Sequence, residues 1–242
     1  MTSNSFRRFV LFLIAITVGA CAFAQPAASP KAFRFRTLSW SDPVNDLFYD
    51  FNGKPMPVKA VSYARSPFYQ ADATDKVVFY RQIKGPDGRK VRQVVAEAAV
   101  DGKSSMLLML FIKEPKGAIR VSVSDDETSQ FPAGSYRFVN VSSHHLMIAA
   151  GSARASIAPG ESKVLTSEVD KATHGVNIRL ATAAGEASKM VYADVWLWSA
   201  DARTLVYASD TGNAQAPVDL KRITENARFD KEAVPVAPAT AR

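Results

Sequence analysis

Side chains able to do chemistry are few and scattered in this 242-residue chain. Histidine occurs three times, as His144, His145 and His174, and cysteine once, as Cys21. His144 and His145 end the polar turn Ser142-Ser143-His144-His145. A histidine pair suggests metal ligation or proton transfer, but neighbours on an extended chain point to opposite faces and do not easily share one ion. No His-Glu-x-x-His or Cys-x-x-Cys spacing accompanies them, so the pair reads as part of an ordinary loop. Gly134-Ser135 and Gly151-Ser152 are turn elements, not the Gly-x-Ser-x-Gly elbow that presents a nucleophilic serine. Asp125-Asp126-Glu127 groups three carboxylates in a polar stretch without the Asp-x-Asp-x-Asp-Gly pattern of a calcium loop. It reads as a solvated linker, with a weak calcium site as the alternative. The sequence nominates no catalytic residue, no metal ligand and no cofactor.

One constellation rises above this background. In Lys189-Met-Val-Tyr-Ala-Asp-Val-Trp-Leu-Trp198, an extended chain puts Val191, Ala193, Val195 and Leu197 on one face. Tyr192, Asp194, Trp196 and Trp198 fall on the other. If the aliphatic face is core, the aromatic face points outward as a binding surface. Its rings would stack on sugars and its carboxylate would bond their hydroxyls. The competing reading covers those rings with the other domain, a loop or the inner sheet, because bare aromatic stripes are costly.

The elements that must position these residues are strands. Short strand signals, separated by turn residues, recur from Phe33 to about Ser209. Ala118-Ile-Arg-Val-Ser-Val-Ser124 and Val176-Asn-Ile-Arg-Leu180 alternate as half-buried strands. Met106-Leu-Leu-Met-Leu-Phe-Ile112 is apolar on both faces and predicts a central strand covered on both sides. Val91–Val100 also suits a helix, but Gly-Pro-Asp-Gly88 before it and Asp101-Gly102 after it favour a strand. About seven strands precede Asp125 and seven more follow Gly134. The expected fold is all-β, with two consecutive immunoglobulin-like antiparallel β-sandwich domains over 33–126 and 131–212. No sequence repeat links the halves. Residues 213–242 lose the pattern and end Ala/Pro-rich, so a largely disordered tail is expected, in which Val218–Ile223 could add one edge strand.

The N-terminus sets the compartment. Arg7-Arg8, the apolar run Phe9–Val18 and Ala22-x-Ala24 have the layout of a secretory signal peptide over 1–24. A Pro/Ala linker follows over 25–32. Val18-Gly-Ala-Cys21 also reads as a lipobox, in which case Cys21 becomes a lipidated first residue and the only membrane attachment. The expected location is periplasmic or extracellular, with a membrane-anchored lipoprotein as the alternative. The formal charge is +7 and the basic residues are scattered, so no clustered nucleic-acid footprint is present. With Cys21 the only thiol, the processed chain has no disulfide and depends on its hydrophobic core.

Phe131-Pro-Ala-Gly-Ser-Tyr-Arg-Phe-Val-Asn140 resembles a motif of uncharacterised secreted bacterial β-sandwich proteins, in which a Phe-Pro-x-Gly turn opens a strand ending Val-Asn. Ala158-Pro-Gly160, Trp196-x-Trp198 and Arg203-x-Leu-Val-Tyr207 are similar to later parts of that pattern. A looser similarity is to the periplasmic alginate O-acetylation adaptor, which has two β-sandwich domains. These resemblances imply a fold and a compartment, and no activity. Together the readings point to a non-catalytic binding or adaptor module of the cell envelope. Its partner would be a polysaccharide or another envelope protein. A structural lipoprotein, or a carbohydrate-active enzyme with scattered site residues, is the alternative.

Overall fold

Period-two alternation of apolar residues carries through into sixteen strands. The computed structural model describes residues 32–114, 117–184 and 187–227, and no helix occurs among them. The leader, Cys21 and the tail beyond 227 lie outside the described residues. The first half contains β1 (Phe33–Ser39), β2 (Val44–Phe51), β3 (Lys54–Ala60), β4 (Tyr69–Ala71), β5 (Lys76–Lys84), β6 (Lys90–Ala99), β7 (Met106–Lys113) and β8 (Ile119–Asp125). The second contains β9 (Tyr136–Asn140), β10 (Leu146–Ala150), β11 (Ala153–Ile157), β12 (Ser162–Leu165), β13 (Gly175–Ala184), β14 (Ala187–Leu197), β15 (Ala202–Asp210) and β16 (Val218–Asn226). The all-β, two-sandwich reading holds, with eight strands in each half. β4 is too short to show a period. β16 begins inside the segment expected as a tail, yet it pairs with β15 from Asp210↔Val218 to Ala202↔Asn226. Val218 and Ile223 are buried there, which is enough apolar surface to order a segment that is otherwise polar.

The two halves have one topology. The first folds as sheets β4-β1-β7-β8 and β3-β2-β5-β6, and the second as β12-β9-β15-β16 and β11-β10-β13-β14. Adding eight to each strand number of the first half gives the second. Even the exceptions recur: β1 runs parallel to β7 and β9 parallel to β15, whereas the other pairings are antiparallel. The β2–β3 and β10–β11 hairpins both turn on two residues, Asn52-Gly53 and Gly151-Ser152. Asn52 and Gly53 both have positive φ, as a tight hairpin of matching twist requires. The ladder shifts between Phe79 and Tyr80 in one half and between Leu180 and Ala181 in the other. This leaves Val95 and Val191 as bulged residues at equivalent positions. The sequence trace is faint: Phe33-Arg-Phe35 matches Tyr136-Arg-Phe138, with the aromatics turned into each core.

Three apolar cores result. Phe35, Tyr49, Phe79 and Phe111 centre the first sandwich, with ring centroids 4.9 Å apart for Phe79–Phe111 and 5.1 Å for Phe35–Tyr49. Phe138, Ile148, Ile178, Leu180 and Trp196 centre the second. The third lies between the halves. There Leu38, Leu108, Leu110 and Ile112 meet Phe131, Val139, Leu205, Tyr207 and Ile223. β7 therefore sends Leu107, Met109 and Phe111 into one core and its intervening residues into another, as its unbroken apolar run predicts. The four sheets form a stack, and the β1- and β9-containing sheets are its inner layers.

Charged groups rim this inner core. Arg65 reaches Asp126 at 2.6 Å and Glu225 at 3.0 Å, with Arg65 and Asp126 both almost fully buried. Arg137 donates to the main-chain oxygen of Asp125. The rings of Phe131 and the guanidiniums of Arg137 and Arg203 lie 4.7 and 5.0 Å apart. Glu127 accepts from the Ser105 amide and hydroxyl. The acidic stretch 125–127 is thus not a solvated linker, because its carboxylates and carbonyls satisfy cations and amides at the junction.

Asp126→Ala leaves a buried guanidinium short of its nearest partner and should cost roughly 3–5 kcal/mol, read by urea denaturation. Tyr207, fully buried in the inner core, is pushed up to about 12 by burial, against which the Ser124 hydroxyl and the Arg65 and Arg137 charges act. Its folded value exceeds the unfolded value of about 10, so its contribution is complete below that pH and is lost as pH rises toward 12. Tyrosinate absorbance and stability followed together across that range should show the buried Tyr207 ionising only with loss of the fold.

Candidate functional site

The aromatic residues of β14 are the first test of where a site lies. Pairing with β13 sets Tyr192 opposite Leu180, Asp194 opposite Ile178 and Trp196 opposite Val176, and all three β13 residues belong to the second core. The aromatic face therefore points inward and the aliphatic face outward, the reverse of the orientation needed for a sugar-stacking surface. Trp196 is buried, stacks on Phe138 with centroids 6.2 Å apart, and donates to the Tyr192 hydroxyl at 2.8 Å. That hydroxyl donates in turn to the exposed Asp194 at 3.0 Å. Trp198 donates to the Gly134 carbonyl at 2.9 Å. The inward face wins because its rings fill a gap. In the first half the residues in register with Tyr192 and Asp194 are small, Ala96 and Ala98, and β8 packs alongside β6. In the second half the bulky side chains hold β16 away from β14, and Arg222 lies over Trp196 at 4.9 Å.

The residues of the Phe-Pro-x-Gly pattern also converge on structural roles. Arg203 donates to the Phe131 carbonyl, Trp198 packs on Gly134, and Asn140 donates to the carbonyls of His144 and Ile157. Gly134 has φ 77°, and a Cβ there would stand 3.3 Å from the Trp198 ring, so glycine is needed on both counts.

The concave site lies elsewhere, at one end of the second sandwich. A cleft of about 530 Å³ opens between the β9–β10 loop, the β15–β16 turn and the adjoining ends of β13 and β14. Its polar groups come from Ser143, His144, Thr182, Lys189, Asp210 and Asn213, and Ala214 and Pro217 supply apolar wall. Asp210 organises it. Its carboxylate accepts from the Ser143 amide at 2.9 and 3.1 Å and from the Ser143 hydroxyl at 3.1 Å. Lys189 clamps the turn opposite, donating to the carbonyls of Ala214 and Gln215 at 3.1 and 2.9 Å. Asn213 is fixed by Thr211 and Gln215.

A serine, a histidine and an aspartate meet here, but not as a relay. The hydroxyl of Ser143 is bonded to the carboxylate, whereas the serine of a Ser-His-Asp relay gives its proton to the imidazole. His144 Nε2 stands 3.7 Å from Asp210, beyond hydrogen-bond reach. His145 turns away to Ser156, so the two adjacent rings diverge. Among the described residues no group of three His, Cys, Asp or Glu side chains is placed to hold a metal ion. What the cleft offers is a ring of fixed donors and acceptors around a partly apolar floor. Asp210, Lys189 and Asn213 carry no signal in the sequence, since tens of residues separate them from Ser143. Compared with known proteins, the chain matches no family model and no curated sequence.

Trp196→Ala should destabilise the protein by about 3–5 kcal/mol, because it empties a packed site and removes the donor to the Tyr192 hydroxyl. Urea denaturation would read this, and a change below about 1 kcal/mol would contradict the inward placement.

Proposed function

We propose that the protein is an exported, non-catalytic binding or adaptor module of the cell envelope. The cleft ending the second sandwich receives a hydroxyl-rich ligand, a polysaccharide chain being the class that fits it. The observation carrying this reading is the cleft's chemistry. Hydroxyl, carboxylate, imidazole, ammonium and amide groups converge on one concavity, and its single serine is tied to Asp210 rather than to a base. Such sites recognise ligands through a few fixed polar groups above apolar wall. The leader sequence supports the compartment, and the resemblance to secreted β-sandwich proteins agrees with it. Two stacked sandwiches joined by a buried core supply a rigid body, which suits an adaptor.

Affinity electrophoresis through gels containing soluble envelope polysaccharide tests this. The protein should be retarded, and His144→Ala with Asn213→Ala should weaken retardation about fivefold, the size of roughly 1 kcal/mol. Both groups are near the surface, so thermal unfolding should stay close to that of the parent. Retardation unchanged in the double variant, or absent in the parent, would remove the polysaccharide reading.

A further inference from the structure

The outer face of the sheet β11-β10-β13-β14 has a composition that the cleft does not explain. Met190, Val195 and Leu197 stand on it along the edge strand β14, exposed by 55%, 50% and 83%, and Met147 on β10 by 38%. Behind this aliphatic band lie two arginines. Arg154 on β11 and Arg179 on β13 both pair across to Ala149 on β10, one from each side. The small alanine makes the floor of a shallow groove of about 230 Å³ between the guanidiniums. Neither arginine has an ion-pair partner among the described residues. No described carboxylate on these four strands shares the face, since Asp194 pairs with Ile178 on the inner side.

The duplicated half supplies an internal comparison. On the equivalent face of the first sandwich, acids stand among the cations, two of which are paired, while Lys59, Lys84 and Lys90 are exposed. Asp50 accepts from Arg92 at 2.5 Å and from the Tyr80 hydroxyl at 2.6 Å, and Lys76 pairs with Glu97 at 3.1 Å. β8 also packs beside the edge strand β6, and among the described residues no strand packs comparably beside β14. The same architecture therefore carries one face where acids are mixed with cations and one where, among the described residues of its strands, arginines and exposed aliphatic side chains stand without an acid.

We propose that the second face docks on an anionic phospholipid surface. Lipid phosphates sit over Ala149 between Arg154 and Arg179, where planar guanidiniums bond phosphate oxygens in pairs. Met190, Val195 and Leu197 enter the boundary between headgroups and acyl chains, and the open backbone edge of β14 remains among hydrated headgroups. Charge complementarity selects this occupant. A second copy applied face to face would set guanidinium against guanidinium with no carboxylate to pair. A sugar chain would find no aromatic plane, because the tryptophans are turned inward. The net charge left after removal of the leader, 28 − 23 = +5, acts in the same direction.

Sedimentation with vesicles tests the proposal independently of the cleft. The protein is prepared as residues 25–242, without the leader and Cys21, so that no acyl chain contributes. It should sediment with vesicles of mixed phosphatidylglycerol and phosphatidylcholine, remain in solution with phosphatidylcholine alone, and be released by added salt. Arg154→Ser with Arg179→Ser should lower partitioning at least about tenfold, each basic residue near the surface being worth about 1 kcal/mol. Val195→Ser with Leu197→Ser should lower it comparably, and Val94→Ser on the matched edge of the first half should leave it unchanged. Near-ultraviolet circular dichroism would verify that each variant is folded. Equal binding to both vesicle types, no binding, or full binding by either double variant would overturn the proposal. So would a dimer of the parent in solution that Leu197→Ser dissociates, or vesicle binding that appears only when another envelope protein is added. Polysaccharide retardation of the arginine variant should match the parent, so failure of the cleft reading and failure of this one are distinguishable.

Discussion

The inner core, where β7 and β15 are buried on both faces, is the constraint from which the rest of the architecture follows. A strand with apolar residues on alternate positions needs one cover, and a strand apolar at every position needs two. Met106–Ile112 has its first cover in the opposing sheet of its own sandwich and takes its second from the other half of the chain. Once Leu108 and Leu110 meet Leu205 and Tyr207, the sandwiches cannot act as beads on a linker. The ends of that core must then satisfy the polar groups they enclose. Arg65, Asp126, Arg137 and Glu225 do so across the junction, which explains charged side chains at positions that composition alone assigns to solvent.

Duplication of the topology, with divergence at a few positions, explains how one half came to differ from the other. Ala96 and Ala98 let β8 approach β6 and close the side of the first sandwich. Tyr192 and Asp194 occupy the matching places and Trp196 that of Val100, so rings and a hydrogen-bonded chain fill the side of the second. The cost is an edge strand without a neighbour and an outer face whose aliphatic residues stay wet. Edge strands are normally short, charged or covered. β14 is eleven residues long and charged only at Lys189 and Asp194, and its exposed aliphatic residues share a face with two guanidiniums that have no ion-pair partner among the described residues.

The cleft illustrates a separate point about proximity. Ser143, His144 and Asp210 have the residue types of a hydrolytic relay and lie within a few ångströms of one another. In the arrangement found, the serine hydroxyl is bonded to the carboxylate and the imidazole stands apart. The same three groups, with Lys189 and Asn213, make a serviceable ring of donors and acceptors. Binding needs only their positions, whereas catalysis would need their order.

Strand content, the two-sandwich division and the double-sided burial of Met106–Ile112 were legible in the sequence, because alternation, turn residues and unbroken apolar runs are local signals. The repeat of topology was not, since Phe33-Arg-Phe35 and Tyr136-Arg-Phe138 are too short a match to reveal eight paired strands. Alternation in β14 separated its aromatic face from its aliphatic one but could not say which was inside, as both are apolar enough to be buried. The bulk of the β14 rings against the small side chains of β6 decided it, through contacts made only after folding. The cleft was invisible for the same reason: Asp210 lies 67 positions from Ser143, and only the parallel pairing of β9 with β15 brings them together. The sequence by itself determined which segments extend and which residues alternate, because those properties belong to a single strand. Which face is covered, which charge is paired and which groups share a concavity were decided by tertiary structure, because each depends on a neighbour distant in the chain.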